Sequence, residues 1–310
     1  MVKLMNKYNF DTKNLENFKK KISRDKILSC IIYQENDLIL EYYKNIKTSL
    51  SLQTINSCTK SVISALIGIA IEKRFIENIH IPISEYFEDI FKDEIDLRKK
   101  EITIEHLLTM TPGFDWPEFG EWNCFAPMVY SKDIIKYIIK RPLLTTPGEK
   151  MNYNSGCSHL LSAIIQKTSG KTTHDFAKKY LFEPLGINET FWYEKQGVNL
   201  GSDGLRIFSK DLIKIGNVYI NNGENILSEK WIQESTKSRY LTYENIGYYG
   251  YHWWSNKIKK ENKEIKYYFA LGYGGQFLFI IPEIKMTVVF TSRMYNNSLK
   301  PKEYFENYLL

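Results

Sequence analysis

Strand-forming segments in this chain gather near its two ends, and a long stretch of helical patterns separates them. Residues 28–33 and 37–43 carry the β-branched and aromatic runs of two short strands joined by a turn at Gln34-Glu35-Asn36. Strand character returns late, at Tyr267-Tyr268-Phe269-Ala270, at residues 277–281 and at residues 286–290. Between them, Ile104–Leu108 reads as a short helix ending near Thr111-Pro112-Gly113, and Ile134–Ile139 as an amphipathic piece stopped by Pro142. Ser158–Lys167 reads as a buried helix capped by Ser169-Gly170, and Lys302–Leu310 as a terminal helix. The expectation is an α/β (α+β) fold in which the first and last strands share one sheet, with a helical lobe inserted between them. The sheet lobe covers about 14–56 and 240–310, and an inserted helical lobe covers about 57–239 of a single domain, 1–310.

Composition narrows the class. A chain of 310 residues with 43% hydrophobic and 25% charged residues has ample material for a core. The net charge of +6 is spread over lysines; even the densest run, Lys19-Lys20-Lys21, lacks interleaved aromatics, which argues against nucleic-acid binding. Residues 1–26 are polar and lack the apolar core of a signal peptide, and no run is long enough to span a bilayer. Cys30, Cys58, Cys124 and Cys157 show no metal-like pairing, so free thiols and a cytoplasmic location are expected.

The chemistry starts at Ser57-Cys58-Thr59-Lys60, followed by the apolar run from Ser61 to Ile71. A buried helix opening at Ser57 places a hydroxyl and an amine on one face, one turn apart. Serine needs a base to become a nucleophile, and burial moves a lysine toward the neutral form that can act as one. Ser23-Arg24-Asp25-Lys26 has the same spacing but sits among charges ahead of a strand. The ordinary reading of Ser57 is an N-cap serine, and of Lys60 a solvated first-turn lysine.

Two further segments supply what such a pair lacks. Tyr153, in the polar loop Met151–Gly156, is placed to relay a proton; a neighbouring ammonium would lower its pKa. Tyr273-Gly274-Gly275-Gln276 has the glycines that let a substrate approach backbone, and the N–H of Gln276 could join that of Ser57 around an oxyanion. Taken singly, these read as one tyrosine among 22 and a plain glycine-rich hairpin.

In order and spacing, the chain resembles the serine β-lactamase and penicillin-binding-protein superfamily, from about Ile27 to the last strand. It is most similar to the group holding class C enzymes, family VIII carboxylesterases and 6-aminohexanoate-dimer hydrolases. His106 to Phe114, Phe182-Glu183-Pro184-Leu185-Gly186-Ile187 and Gly204 to Leu212 support the resemblance. It implies a β-lactamase/DD-peptidase-like antiparallel sheet flanked by helices with an inserted helical lobe, Ser57 as acylated nucleophile, Lys60 as its activating partner, Tyr153 as general base and acid, and Gln276 as second oxyanion donor. Ser155 stands where the Y-x-N motif has asparagine, and Tyr273 where lysine or histidine is usual, so both argue against efficient β-lactam turnover. The implied activity is hydrolysis of a small ester, amide or short peptide without metal or cofactor. A β-lactamase or D-amino-acid-specific peptidase is the alternative within the same chemistry, and a non-catalytic ligand sensor the alternative outside it.

Other signals carry less. Gly170-Lys171-Thr172 lacks the earlier glycine of a P-loop, since position 165 is isoleucine, and no G-x-S-x-G elbow is present. The five histidines lack ligand spacing, and His106 and His159 read as buried, hydrogen-bonded structural residues. Of the aromatic clusters, Trp116 and Trp122 are the candidates for substrate contact. For Trp253 and Trp254 the expectation is that one of the pair faces inward.

Overall fold

The first hairpin turns on Glu35 and Asn36, whose φ angles of 51° and 71° are the left-handed pair that suits a two-residue turn. It joins β1 (Ile27–Gln34) to β2 (Asp37–Tyr43) in the computed structural model, which describes residues 12–244, 246–260 and 263–310. The first eleven residues of the polar N-terminal stretch lie outside the described residues. Short strands follow in chain order: β3 (Gln53–Thr54), β4 (Thr190–Trp192), β5 (Glu194–Lys195), β6 (Val198–Asn199) and β7 (Leu205–Ile207). The C-terminal set is β8 (Tyr240–Leu241), β9 (Tyr248–Tyr249), β10 (Trp254–Lys260), β11 (Lys263–Gly272), β12 (Gln276–Ile281) and β13 (Met286–Ser292).

Eight of these form one antiparallel sheet in the order β2-β1-β13-β12-β11-β10-β9-β8. The two ends of the chain meet where β1 pairs with β13, with Cys30 opposite Phe290. β3, β7 and β4 form a second small sheet, and β5 and β6 a third.

Side-chain alternation explains why helices cover both faces. Along β12, Phe277, Phe279 and Ile281 enter one core while Leu278 and Ile280 enter the other, and all five are buried. One face is closed by the terminal helices Thr12–Arg24 and Lys300–Tyr308, where Phe305 stacks on Phe279 at 4.0 Å. The opposite face packs on the helices Thr59–Glu72 and Ser209–Ile220 and the helical region beyond them.

Three local expectations are corrected. Ser57 lies in a short 3-10 turn, Asn56–Cys58, and the α-helix begins at Thr59. The helix expected from Ser158 starts at Ser155, because the Asn154 side chain accepts from the N–H groups of Gly156 and Cys157. Both Trp253 and Trp254 are buried, since the sheet is covered on both faces and each ring enters a different core. All four cysteines are free and buried, and among the described residues no helix is long and apolar enough to cross a membrane.

Candidate active site

The Ser57 turn is pressed between its helix and the β11–β12 hairpin. A Cβ at Gly272 would come within 2.3 Å of the Ile55 carbonyl oxygen, so glycine is what lets β11 close on the turn. Asn56 Nδ2 donates to the Tyr273 carbonyl at 2.7 Å, and Cys58 Sγ to that of Gln276 at 3.3 Å.

Lys60, 1% exposed, directs Nζ to Ser57 Oγ at 2.9 Å and to the Ser202 carbonyl oxygen at 2.8 Å. Its second anchor depends on Gly201, where a Cβ would meet the Ser158 carbonyl oxygen at 1.9 Å. Lys60 Nζ also lies 5.0 Å from the centroid of the Tyr153 ring. Tyr153 is buried between Phe119 and Trp254, which stack on it at 5.8 and 5.6 Å. Its loop is held by Met110, whose carbonyl accepts from the Asn152 N–H and whose sulfur accepts from the Asn154 N–H. The expected lowering of the Tyr153 pKa is corrected: burial raises it, and the opposing pulls of Lys60 and hydrogen bonding with Ser57 do not cancel that rise.

Ser57 and Tyr153 open onto a cavity of about 740 Å³. Ser155 and Tyr273 line it, but Ser155 is committed to Glu118: its N–H donates to Oε2 at 3.0 Å and its hydroxyl to Oε1 at 2.5 Å. Trp116 is not on the wall. It is buried at 1% exposure, and its Nε1 donates to Glu118 Oε2 at 2.6 Å. Trp122 points to solvent at 89% exposure and also lies off the wall; Phe119 takes the place expected of these rings. Gly274 and Gly275 are buried in the hairpin turn, where their carbonyls accept from Ser292 Oγ, and neither lines the cavity. The Gln276 side chain is turned away, donating to the Ser292 carbonyl at 2.7 Å, which leaves its backbone as the group near the turn.

Several wall residues escape a reading of the sequence: Glu118, Phe119, Asp203, Tyr243 and Trp254. The signal for Glu118 and Phe119 was their place between the two tryptophans of one loop. Asp203 follows the carbonyl that holds Lys60; burial raises its pKa while Lys60 pulls it down. Behind Lys60 lies buried His252, whose carbonyl accepts from Ser61 Oγ and whose Nε2 pairs with Ser158 Oγ at 2.9 Å. Burial and Lys60 lower its pKa to about 3. His159 is buried, but its Nδ1 has no hydrogen-bond partner, which corrects the expectation of a bonded ring. His106 is only half-buried, and its Nδ1 caps the Thr103 N–H at 3.2 Å. Among the described residues, no group of three or more His, Cys, Asp or Glu side chains is arranged to hold a metal.

The family model described as Beta-lactamase matches residues 47–307, which includes every wall and floor residue above. The chain belongs to the beta-lactamase family. Penicillin-binding protein 4* of Bacillus subtilis (strain 168) is 33% identical over 102 residues, 31% of this chain and 22% of that protein. The match thus spans about a fifth of the relative's length. Among solved structures, the fold is shared with EstCE1, described as a hydrolase with promiscuous acyltransferase activity, at a TM-score of 0.77. That pair is 13% identical over 94% of this chain and 96% of the other. It is shared too with the octameric penicillin-binding protein homologue from Pyrococcus abyssi, at a TM-score of 0.73 and 22% identity over 96% of this chain and 79% of that one. At these identities the likeness concerns fold alone. The beta-lactamase-family chain therefore carries a hydrolase fold with the Ser57, Lys60 and Tyr153 side chains gathered at one cavity.

Proposed function

We propose that the protein is a serine hydrolase that cleaves an ester or amide through an acyl-Ser57 intermediate. The observation that carries this reading is the 2.9 Å contact between Ser57 Oγ and a buried Lys60 Nζ at the floor of an accessible cavity. Lys60 takes the hydroxyl proton as Oγ attacks the carbonyl carbon. The N–H groups of Ser57 and Gln276 hold the oxyanion that forms. Tyr153, kept protonated by burial, is suited to hand its proton to the leaving oxygen or nitrogen and recover one from Lys60. Water then attacks the acyl-serine carbonyl, losing its proton to the same pair, and the acid departs with Ser57 restored.

An esterase or small-amide hydrolase is the preferred assignment within a single catalytic domain. The uncharged Tyr273 offers a substrate carboxylate no cation, which disfavours β-lactams and C-terminal peptides. Four free thiols favour a reducing compartment, the cytoplasm.

The test is intact-protein mass spectrometry of wild type and Ser57→Ala after a fluorophosphonate and, separately, a penicillin. A phosphonate adduct that disappears in Ser57→Ala is expected. A lasting penicillin adduct would shift the assignment to penicillin binding, and no adduct with either reagent on folded protein would leave a ligand sensor.

A further inference from the structure

The cavity at Ser57 runs against the charge of the rest of the molecule. The chain carries +6, yet among the described residues two carboxyl groups and no lysine or arginine line this cavity. Both acids are held in place. Glu118 is fixed on the wall by the Ser155 N–H, the Ser155 hydroxyl and the Trp116 indole. Asp203, half-buried, accepts from Ser202 Oγ at 3.2 Å. Lys60 lies beneath the floor with Nζ directed to Ser57 and Ser202.

The remaining wall is aromatic. Phe119 stacks on Tyr153, and Tyr243 meets the Phe119 ring edge-on at 6.1 Å. Phe119 and Tyr243 are 66% and 43% exposed, and Tyr273 on the same cavity is 63% exposed, so ring surface remains for a ligand. Aromatic faces beside fixed carboxyl groups suit a cation, whose attraction to the rings adds to its attraction to the acids. An anion placed there faces the same two acids with the opposite sign.

We infer that the substrate of the Ser57 site carries an amine or quaternary ammonium group, held between the rings of Phe119 and Tyr243 and the carboxyl groups of Glu118 and Asp203. This rests on the hydrolase reading and narrows it to cationic esters or amides. The cavity volume matches a ligand that carries both the cleaved bond and a charged arm.

The experiment compares p-nitrophenyl esters of three acids of matched length: a trimethylammonium-capped butyrate, its tert-butyl isostere and hemiglutarate. For wild type, kcat/KM for the cationic ester should exceed that of the neutral isostere on the order of tenfold, with the anionic ester slowest. The preference should shrink as salt rises. In Glu118→Gln and in Asp203→Asn the cationic-to-neutral ratio should fall toward one, whatever the absolute rates. Because the ratio is taken within each variant, a loss of folded protein cannot imitate it. Equal values for the cationic and neutral esters in wild type would overturn the inference, leaving the two acids as partners of Ser155 and Ser202. If Ser57 labels with the fluorophosphonate but no ester turns over, the same ranking is read from protection against labelling by the corresponding amides. If Ser57 does not label at all, the hydrolase reading falls with it.

Discussion

Ser155 gives both its backbone N–H and its hydroxyl to the carboxyl group of Glu118, at 3.0 and 2.5 Å, across a sequence separation of 37 residues. The family resemblance expects a substrate-facing amide at position 155. The structure instead has a clamp that fixes an acid on the cavity wall. Ser155→Ala keeps the N–H bond and removes the hydroxyl, and Ser155 is buried. The expected loss is about 1–3 kcal/mol of stability, read from urea midpoints at neutral pH. A change within error would mean that the hydroxyl bond is not formed in solution.

Lys60→Met fills a similar buried volume without an amine. Ser57 labelling by a fluorophosphonate should slow on the order of 10²–10⁴-fold, the usual worth of a positioned base. A thermal melt run in parallel checks that the variant is folded. Unchanged labelling would remove Lys60 from the chemistry.

Gly272→Ala tests the seam between hairpin and nucleophile turn. The added methyl would meet the Ile55 backbone carbonyl at 2.3 Å, and backbone cannot swing aside as a side chain can. A destabilisation of about 1–3 kcal/mol is expected, together with slower Ser57 labelling. Normal labelling in the variant would show that the Ser57 turn does not depend on this contact.

Phe119→Ala should separate binding from folding. The ring is 66% exposed, so stability should move by no more than about 0.5 kcal/mol. KM for an apolar aryl ester should rise roughly tenfold as the ring over Tyr153 is lost. Trp122→Ala, at 89% exposure and off the cavity wall, should leave both unchanged.

Stability should fall at both ends of the pH scale. The His252 and His159 pKa values are lowered to about 3 and about 4, against about 6.5 in an unfolded chain. Their contribution is complete above pH 6.5 and is lost as pH falls toward those values, at about 1.4 kcal/mol per pH unit for each proton taken up on unfolding. Burial raises Tyr153 and Tyr249, so their contribution is complete below about pH 10 and declines above it. His252→Asn, at a φ of 58° that asparagine tolerates, should flatten the acid limb by about one proton. Urea midpoints from pH 3 to 8 decide this, and an acid limb of unchanged slope in the variant would count against His252.

Much of the scaffold was legible from local pattern. Residues 28–33 and 286–290 announced themselves because strand residues alternate between two covered faces. Ser57 and Lys60 were legible from their spacing, since a 3-10 turn running into the first turn of a helix sets residues three apart side by side. The misplaced rings show the limit of such reading. Trp116 and Trp122 looked like cavity walls by composition, yet one anchors Glu118 from within and the other faces solvent.

The amino-acid sequence by itself determined where the main strands and helices lie and the spacing of the Ser57–Lys60 pair, because each depends on periodicity or on neighbours a few residues apart. Tertiary structure alone decided what surrounds that pair. The Ser202 carbonyl reaches Lys60 from 142 residues away, and Trp254 at the start of β10 reaches Tyr153 from a distant segment of the chain. Such contacts arise from packing two faces of one sheet against distant segments, and no local pattern encodes which atoms meet there.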